Sequence, residues 1–224
     1  MKNAPMDANK ERPSGSLGDW LTEVLRQRIA GGGYQPGEWI REPALLREFG
    51  LSNGPVREAL QNLVAAGALV REARRGVRVI ELADEEVVEL FQVRLALFEF
   101  ASELVAHKAT QADILSARAI LNNVDRAVET GDIEKLMQAG GALVDWVCQT
   151  TGNRQLVETW NQLTLKARVY IYASLKACKD HENVAQIWHK LIEAIANQDQ
   201  NKARHAAREM VRRTLQDLNL KFDL

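Results

Sequence analysis

The sequence has little of what several protein classes require. It carries two cysteines, Cys148 and Cys178, in 224 residues, too few for a disulfide framework and without the CxxC pairing of a metal knuckle. A reducing cytoplasm is the expected compartment. The longest apolar run, Leu63 to Val70, spans eight residues with Gly67 inside it. A bilayer span needs roughly 18 to 20, so no membrane segment is expected. The four histidines, His107, His181, His189 and His205, have neither HxxxH nor HExxH spacing, which argues against catalytic zinc. Gly31 to Gly33 lack the GxxxxGK of a phosphate loop and follow a helical pattern, so they read as a helix stop. An excess of one charge is missing too: 29 basic and 30 acidic side chains leave a net charge of -1. A protein that coats polyanions is excluded, whereas a local basic surface is not.

Proline is also absent from most of the chain, the five prolines all lying at or before Pro55. The remainder can run as helix after helix without a proline stop. Charge divides in the same way. Residues 17–80 hold nine arginines against seven acids, while residues 81–224 hold 17 basic against 21 acidic residues. The opening MKNAPMDANKERPSG is polar, broken by proline and glycine, and has no apolar core of a secretory signal. Residues 1–15 are therefore expected to form a flexible tail.

From residue 16 a compact set of elements is predicted. Ser16 can cap a helix whose Leu17, Leu21, Val24, Leu25 and Ile29 recur at helical spacing. A turn at QPG precedes a short strand over Glu38 to Ile40, and a second helix runs from Glu42 to Phe49, closed by Gly50. In GLSNGPVREALQNLVAAG, Ser52 is a candidate N-cap and Pro55 falls in the first turn. Val56, Ala59, Leu60, Leu63 and Val64 then share one buried face, leaving Asn53, Gly54, Arg57, Glu58, Gln61 and Asn62 on the other. Two short strands around REARRG, with Arg74, Arg75 and Gly76 at the turn, complete a winged helix-turn-helix over residues 16–80. Residues 81–224 give six amphipathic helices, near 84–107, 110–129, 132–150, 153–176, 183–197 and 199–220. Asp84, Thr110, Asp132 and Asn153 are the candidate N-caps. The predicted fold is mainly α: a winged helix-turn-helix followed by an all-α six-helix bundle with space for a cavity.

Such a helix enters the major groove when its first turns carry donors for base edges. Arg57 can pair bidentately with guanine and Asn53 with adenine. Wing residues Arg74 and Arg75 would reach backbone or minor groove, Gly76 permits close approach, and the helix N-terminus at Ser52 favours a phosphate. The candidate DNA contacts are Ser52, Asn53, Gly54, Arg57, Arg74, Arg75 and Gly76. The competing structural account pairs Arg57 with Glu58 or Glu42 in a domain that only packs.

The runs IAGGGYQPGEWIRE, LLREFGLSNGPVREAL and GALVREARRGVRV together resemble the DNA-binding domain of the GntR family of bacterial transcription regulators. The helical remainder, with TGN after its third helix and EAIANQDQNKARHAAREM near its end, is similar to the FCD domain of the FadR-like branch. The resemblance implies a homodimer on a two-fold double-stranded DNA operator, with a small organic effector in the helical domain. Asn53 and Gly54 stand where the family commonly has arginine then threonine, and Pro43 where the founding branch often has arginine. The operator is thus expected to differ from the common one, with Arg57 carrying more of the readout.

Many FCD domains hold a divalent metal through one aspartate and three histidines. Those positions register here on Gly140, Val144, Trp188 and Met210, none of which ligates zinc-class metals in that manner. His189 is one residue off register, about 100 degrees around the helix. No cofactor and no metal are therefore expected. Either Trp188, Met210, Val144 and Gly140 line a pocket for an apolar or aromatic organic ligand, or Trp188 and Met210 fill it and the domain only dimerises. Arg94, Arg168 and Tyr172 are the candidates to hold a carboxylate there, each with a structural ion pair or core-edge role as its alternative. An all-α enzyme with an accessory winged domain is disfavoured, because no acid, base, nucleophile or metal cluster has credible spacing. A protein-interaction module is the remaining alternative. Cys148 reads as a small buried apolar side chain, and Trp146, Trp160 and Trp188 as core or interface.

Overall fold

A computed structural model describes residues 16–221. The tail expected over residues 1–15 lies outside the described residues, as do the last three. The chain divides into two compact units, with the boundary between Glu81 and Leu82.

The first unit is built on α1 (Leu17–Ala30), β1 (Trp39–Ile40), α2 (Glu42–Phe49), α3 (Asn53–Ala65), β2 (Leu69–Glu72) and β3 (Gly76–Val79). The Ser16 side chain accepts from the Asp19 amide at 3.0 Å, which caps α1. Leu21, Leu25 and Ile29 follow at four-residue steps and are fully buried. Gly50 ends α2 at φ 62, a left-handed position that glycine adopts without a Cβ penalty. Val56, Ala59, Leu60 and Leu63 of α3 are buried, while Val64 is only half-buried. Gly18 leaves room on α1 for the Glu58 carboxylate of α3, which a Cβ there would displace. The strands pair antiparallel in the order β1-β3-β2, with Leu69 opposite Val79 and Ile40 opposite Val77. Ile80 lies just past β3, its amide donating to Ala68 O at 2.9 Å.

The second unit is an all-α bundle of α4 (Asp84–Lys108), α5 (Gln111–Glu129), α6 (Ile133–Thr150), α7 (Arg154–Ala177), α8 (His181–Ala196) and α9 (Gln200–Asp217). Thr110, Asp132 and Asn153 cap their helices through side-chain acceptors, as their position in the sequence predicts. Asp84 does not: Ala83 takes the N-cap position and Asp84 is the first helical residue, where its charge still complements the helix dipole. The fifth helix of the bundle begins at His181 rather than 183, since Asp180 accepts from the Asn183 amide and supplies the missing cap. The last helix stops at Asp217, three residues short of its expected end, and Asn219 has turned to φ 58.

One apolar core joins these helices, with Val105, Ala117, Val124, Leu143, Val147 and Leu191 among its fully buried members. Leu191 is 0% exposed at its centre. Leu191→Ala should cost about 2–5 kcal/mol, because the surrounding helices cannot fully close the void. A urea titration followed by helical circular dichroism is expected to show the midpoint falling with little change of slope. An unchanged midpoint would contradict the core.

Candidate functional site

In the first unit, α3 presents Asn53, Gly54, Arg57 and Gln61 to solvent. Two neighbours on that face, Glu58 and Asn62, are also exposed but touch α1. Glu58 turns toward the start of α1, where Ser16 Oγ donates to Glu58 Oε1 at 3.5 Å, and Asn62 Nδ2 donates to Thr22 Oγ1 at 3.4 Å. Both residues stay exposed, so the polar face has the width the sequence pattern predicts, with two of its members in long contacts to α1. Arg57 keeps 66% of its side chain exposed, with Nε 3.6 Å from Glu42 Oε2. That distance is an ion pair without a hydrogen bond, the exposed kind that contributes little. Ser52 occupies the N-cap position in an extended conformation, yet its hydroxyl caps no amide. A Cβ at Gly54 would meet nothing within 4 Å.

The β2–β3 turn carries the wing. Arg74 sits at φ 64 and Gly76 at φ 111, so the turn reverses through two positive-φ residues, only one of them glycine. Arg75 is 74% exposed, its Nη1 3.6 Å from Glu72 Oε2. The nearer partner of Glu72 is Arg78, whose Nε donates at 2.6 Å and holds the Glu72 carboxyl below its ordinary range. Arg71, in the same REARRG run, is also exposed and extends the cationic edge.

In the second unit, a cavity of about 120 Å³ opens between the helices. The structure brings Arg94, Gly140, Val144, Arg168, Trp188 and Met210 together on its wall, from α4, α6, α7, α8 and α9. Tyr172, expected on the wall, lies off it. On α7 the wall follows Trp160, Thr164, Arg168, Ile171 and Leu175, a drift of three and four residues that leaves Tyr172 half-buried beside Lys176, whose Nζ is 5.9 Å from its ring.

The residues do not fit a metal. The four positions that correspond to the family's ligands do converge, but they are Gly140, Val144, Trp188 and Met210. The indole lies over the glycine, with Trp188 Nε1 3.6 Å from where a Gly140 Cβ would be. His189 faces away and bonds Asp125 Oδ1 at 2.9 Å. Among the described residues, no group of three or more His, Cys, Asp or Glu side chains could hold a metal ion.

What the wall has instead is cationic. Arg94 is only 5% exposed; its Nη1 donates to Thr164 Oγ1 at 3.3 Å and its guanidinium stacks on Trp160, 3.8 Å from the ring centroid. Burial, with Arg168 nearby, lowers Arg94 to about 10, so it remains a cation at neutral pH. Gly141 makes room for Arg168, since a Cβ there would lie 2.8 Å from Arg168 Nη2. Arg213, which the sequence reading missed, also reaches the wall. It bonds Asp217, Asn183 Oδ1 at 2.5 Å and Cys178 Sγ at 3.1 Å, tying α9 to the α7–α8 connection. Only the Arg213–Asp217 pair, at i and i+4 on α9, follows from sequence spacing; Asn183 and Cys178 come from separate elements.

A winged helix-turn-helix with exposed arginines on its third helix and wing, followed by a helical unit enclosing a cavity, defines a DNA-binding regulator. The chain belongs to the GntR family: "Bacterial regulatory proteins, gntR family" matches residues 19–79 and the FCD domain matches residues 89–213. It is a transcription regulator and not an enzyme. It is 27% identical over 205 residues to a probable D-xylose utilization operon transcriptional repressor of Paenarthrobacter nicotinovorans, covering 90% of this chain and 88% of that one. It is 24% identical over 194 residues to the HTH-type transcriptional regulator McbR of Escherichia coli (strain K12), covering 85% and 87%. The solved structure of E. coli McbR/YncC has the same fold, with a TM-score of 0.82 at 23% identity over 92% of this chain and 98% of that one. Among the described residues, no helix is long and apolar enough to cross a membrane.

Burial pushes the Cys148 thiol up to about 12, with Asp145 adding to the effect and Arg94 opposing it. Its thiolate is therefore scarce at neutral pH. In a Cys178→Ser background, iodoacetamide at pH 8 should leave Cys148 unmodified in the folded protein and label it once urea unfolds the chain. Complete labelling of the native protein within minutes would contradict the burial.

Proposed function

We propose that this regulator works in the cytoplasm as a homodimer on a two-fold operator, reads it with α3 and the wing, and senses a small organic metabolite without a metal. The observation that carries the reading is a pair of loosely held, exposed arginines, Arg57 on α3 and Arg75 on the wing, together with α3 amides that the Ser52 side chain leaves uncapped. Arg57 would contact a base edge, with Asn53 beside it, while Ser52 and Gly54 leave the helix N-terminus open to a phosphate. Arg74, Arg75 and Gly76 would follow the backbone or minor groove. In the cavity, Arg94 or Arg168 would hold a carboxylate, with Gly140, Val144, Trp188 and Met210 around the remainder of the effector. That apolar surround offers few partners to a polyhydroxylated sugar, so the xylose operon of the Paenarthrobacter relative is a poor guide to the ligand here.

Support for the dimer comes from α4. Val93 is 52% and Phe100 48% exposed, with Leu97 half-buried between them on the same stripe. Large apolar side chains in a row on one helix mark an association surface.

Selection of genomic DNA fragments by the purified protein at physiological salt, followed by sequencing, tests the reading. A shared palindromic site is expected, and a small-molecule cell extract should shift its occupancy. Arg57→Ala should weaken that site by about 1–3 kcal/mol, and Arg75→Ala should lower the salt slope of binding by about 1. Gly140→Leu, which fills the cavity, should bind the site normally and ignore the extract. Retained fragments without a common site would overturn the reading, as would full affinity in Arg57→Ala. For the dimer, Phe100→Glu should halve the mass by light scattering at micromolar concentration with an unchanged helical spectrum. A persisting dimer would rule out the α4 stripe.

A further inference from the structure

The interior of the helical unit holds a charge that the protein does not neutralise. A guanidinium has five N–H donors. Arg94, on the cavity wall and 5% exposed, makes one side-chain hydrogen bond among the described residues, to the neutral hydroxyl of Thr164. No carboxylate lies within 4 Å of it among those residues, and the π face of Trp160 covers one side. Leaving buried donors unmade is costly, more so when they are charged. Such a group is stable when a partner of opposite charge arrives with matching geometry.

The charges on the wall bear on the charge of that partner. Its ionisable residues are Arg94, Arg168, Arg213, Asp145 and Asp217. Arg213 and Asp217 are paired at 3.1 Å and cancel. Arg94 has no carboxylate within 4 Å among the described residues, and a single carboxylate balances its one charge where a dicarboxylate or tricarboxylate overshoots.

Shape restricts the remainder of the molecule. A volume of about 120 Å³ is close to that of an engineered apolar cavity of ~150 Å³ that takes up benzene. The surfaces offered are flat and aromatic: Phe98 lies 5.7 Å from Trp160 and 6.4 Å from Trp188 between ring centroids, the latter pair edge to face. Opposite, Gly140 presents bare backbone beneath the Trp188 indole.

We infer that the cavity takes a monocyclic monocarboxylate, aromatic or of similar size, with its carboxylate on the Arg94 guanidinium and its ring among Phe98, Trp188 and Gly140, and with no metal. The inference rests on the proposed reading of the cavity as the effector site. Arg94 holds the charged end, and the wall residues Gly140, Val144, Trp188 and Met210 accept the ring.

Benzoate is the probe, with benzamide as its neutral isostere and citrate plus Zn²⁺ as the metal-dependent contrast. Calorimetry and tryptophan fluorescence on the full-length protein should show benzoate binding that is unchanged by EDTA, and benzamide weaker by at least about tenfold. Citrate with Zn²⁺ should not bind. Arg94→Met, which keeps a similar stem without the charge, should lose benzoate by about the same factor while its helical spectrum and thermal transition persist. Arg94→Lys should recover part of the affinity. Equal binding of benzamide, full benzoate affinity in Arg94→Met, dependence on Zn²⁺, or no benzoate binding at all would each overturn the inference. Should the extract still shift operator binding in the wild type and not in Gly140→Leu, the effector reading stands and only the ligand class falls. Should the extract have no effect on either protein, the effector reading falls with it.

Discussion

A guanidinium kept out of water without a carboxylate is the constraint that shapes the helical unit. Desolvating a cation is expensive, and the cost appears directly as the lowering of Arg94 to about 10. Several neighbours make sense as responses to it. Trp160 gives a π face at 3.8 Å, Thr164 gives a hydroxyl, and Asp145 stands far enough away to soften the charge without pairing with it. The two glycines of α6 belong to the same arrangement, one admitting the Trp188 indole and the other the Arg168 head group. A core designed only for stability would replace such a cation with a packed apolar side chain.

The reading face of the first unit lies beside the packing of α1 on α3, where Gly18 leaves room for the Glu58 carboxylate. Glu58 and Asn62 make long contacts to α1 from the exposed face, while Asn53, Gly54, Arg57 and Gln61 make none to it. Arg57 is tethered to Glu42 only at 3.6 Å. An exposed pair of that length is weak enough to exchange for a base edge or phosphate, as the proposed DNA contact requires.

Most of the fold was legible because it follows from apolar spacing. Leu21, Leu25 and Ile29 in α1, and Val56, Ala59, Leu60 and Leu63 in α3, leave little freedom about which face is buried. Convergence of Gly140, Val144, Trp188 and Met210 was legible in the register of two short motifs. Errors arose where a local signal competes with an equivalent one nearby. Asp84 is a good cap by type, yet the chain turns one residue earlier, at Ala83, and Asp180 was overlooked as a cap although it is equally suitable. Tyr172 follows Arg168 by four residues, but the cavity wall drifts along α7 and takes Ile171 instead. Of the Arg213 network only the i,i+4 pair with Asp217 is legible in sequence, since Asn183 and Cys178 meet it only after separate elements have packed.

The geometry of α4 also limits how an occupied cavity can be felt elsewhere in the helical unit. Arg94 and Phe98 face the cavity, while Val93, Leu97 and Phe100 lie on the stripe that faces solvent. Neighbouring positions on a helix are about 100 degrees apart, so two surfaces share one rigid rod. A carboxylate that draws the Arg94 head toward itself acts on the same turns that carry Val93 and Leu97. Close-packed interiors shift between discrete arrangements rather than deforming smoothly. Were the proposed ligand to prefer one setting of α4, a partner that favours that setting through the stripe would by linkage strengthen the ligand by the same factor.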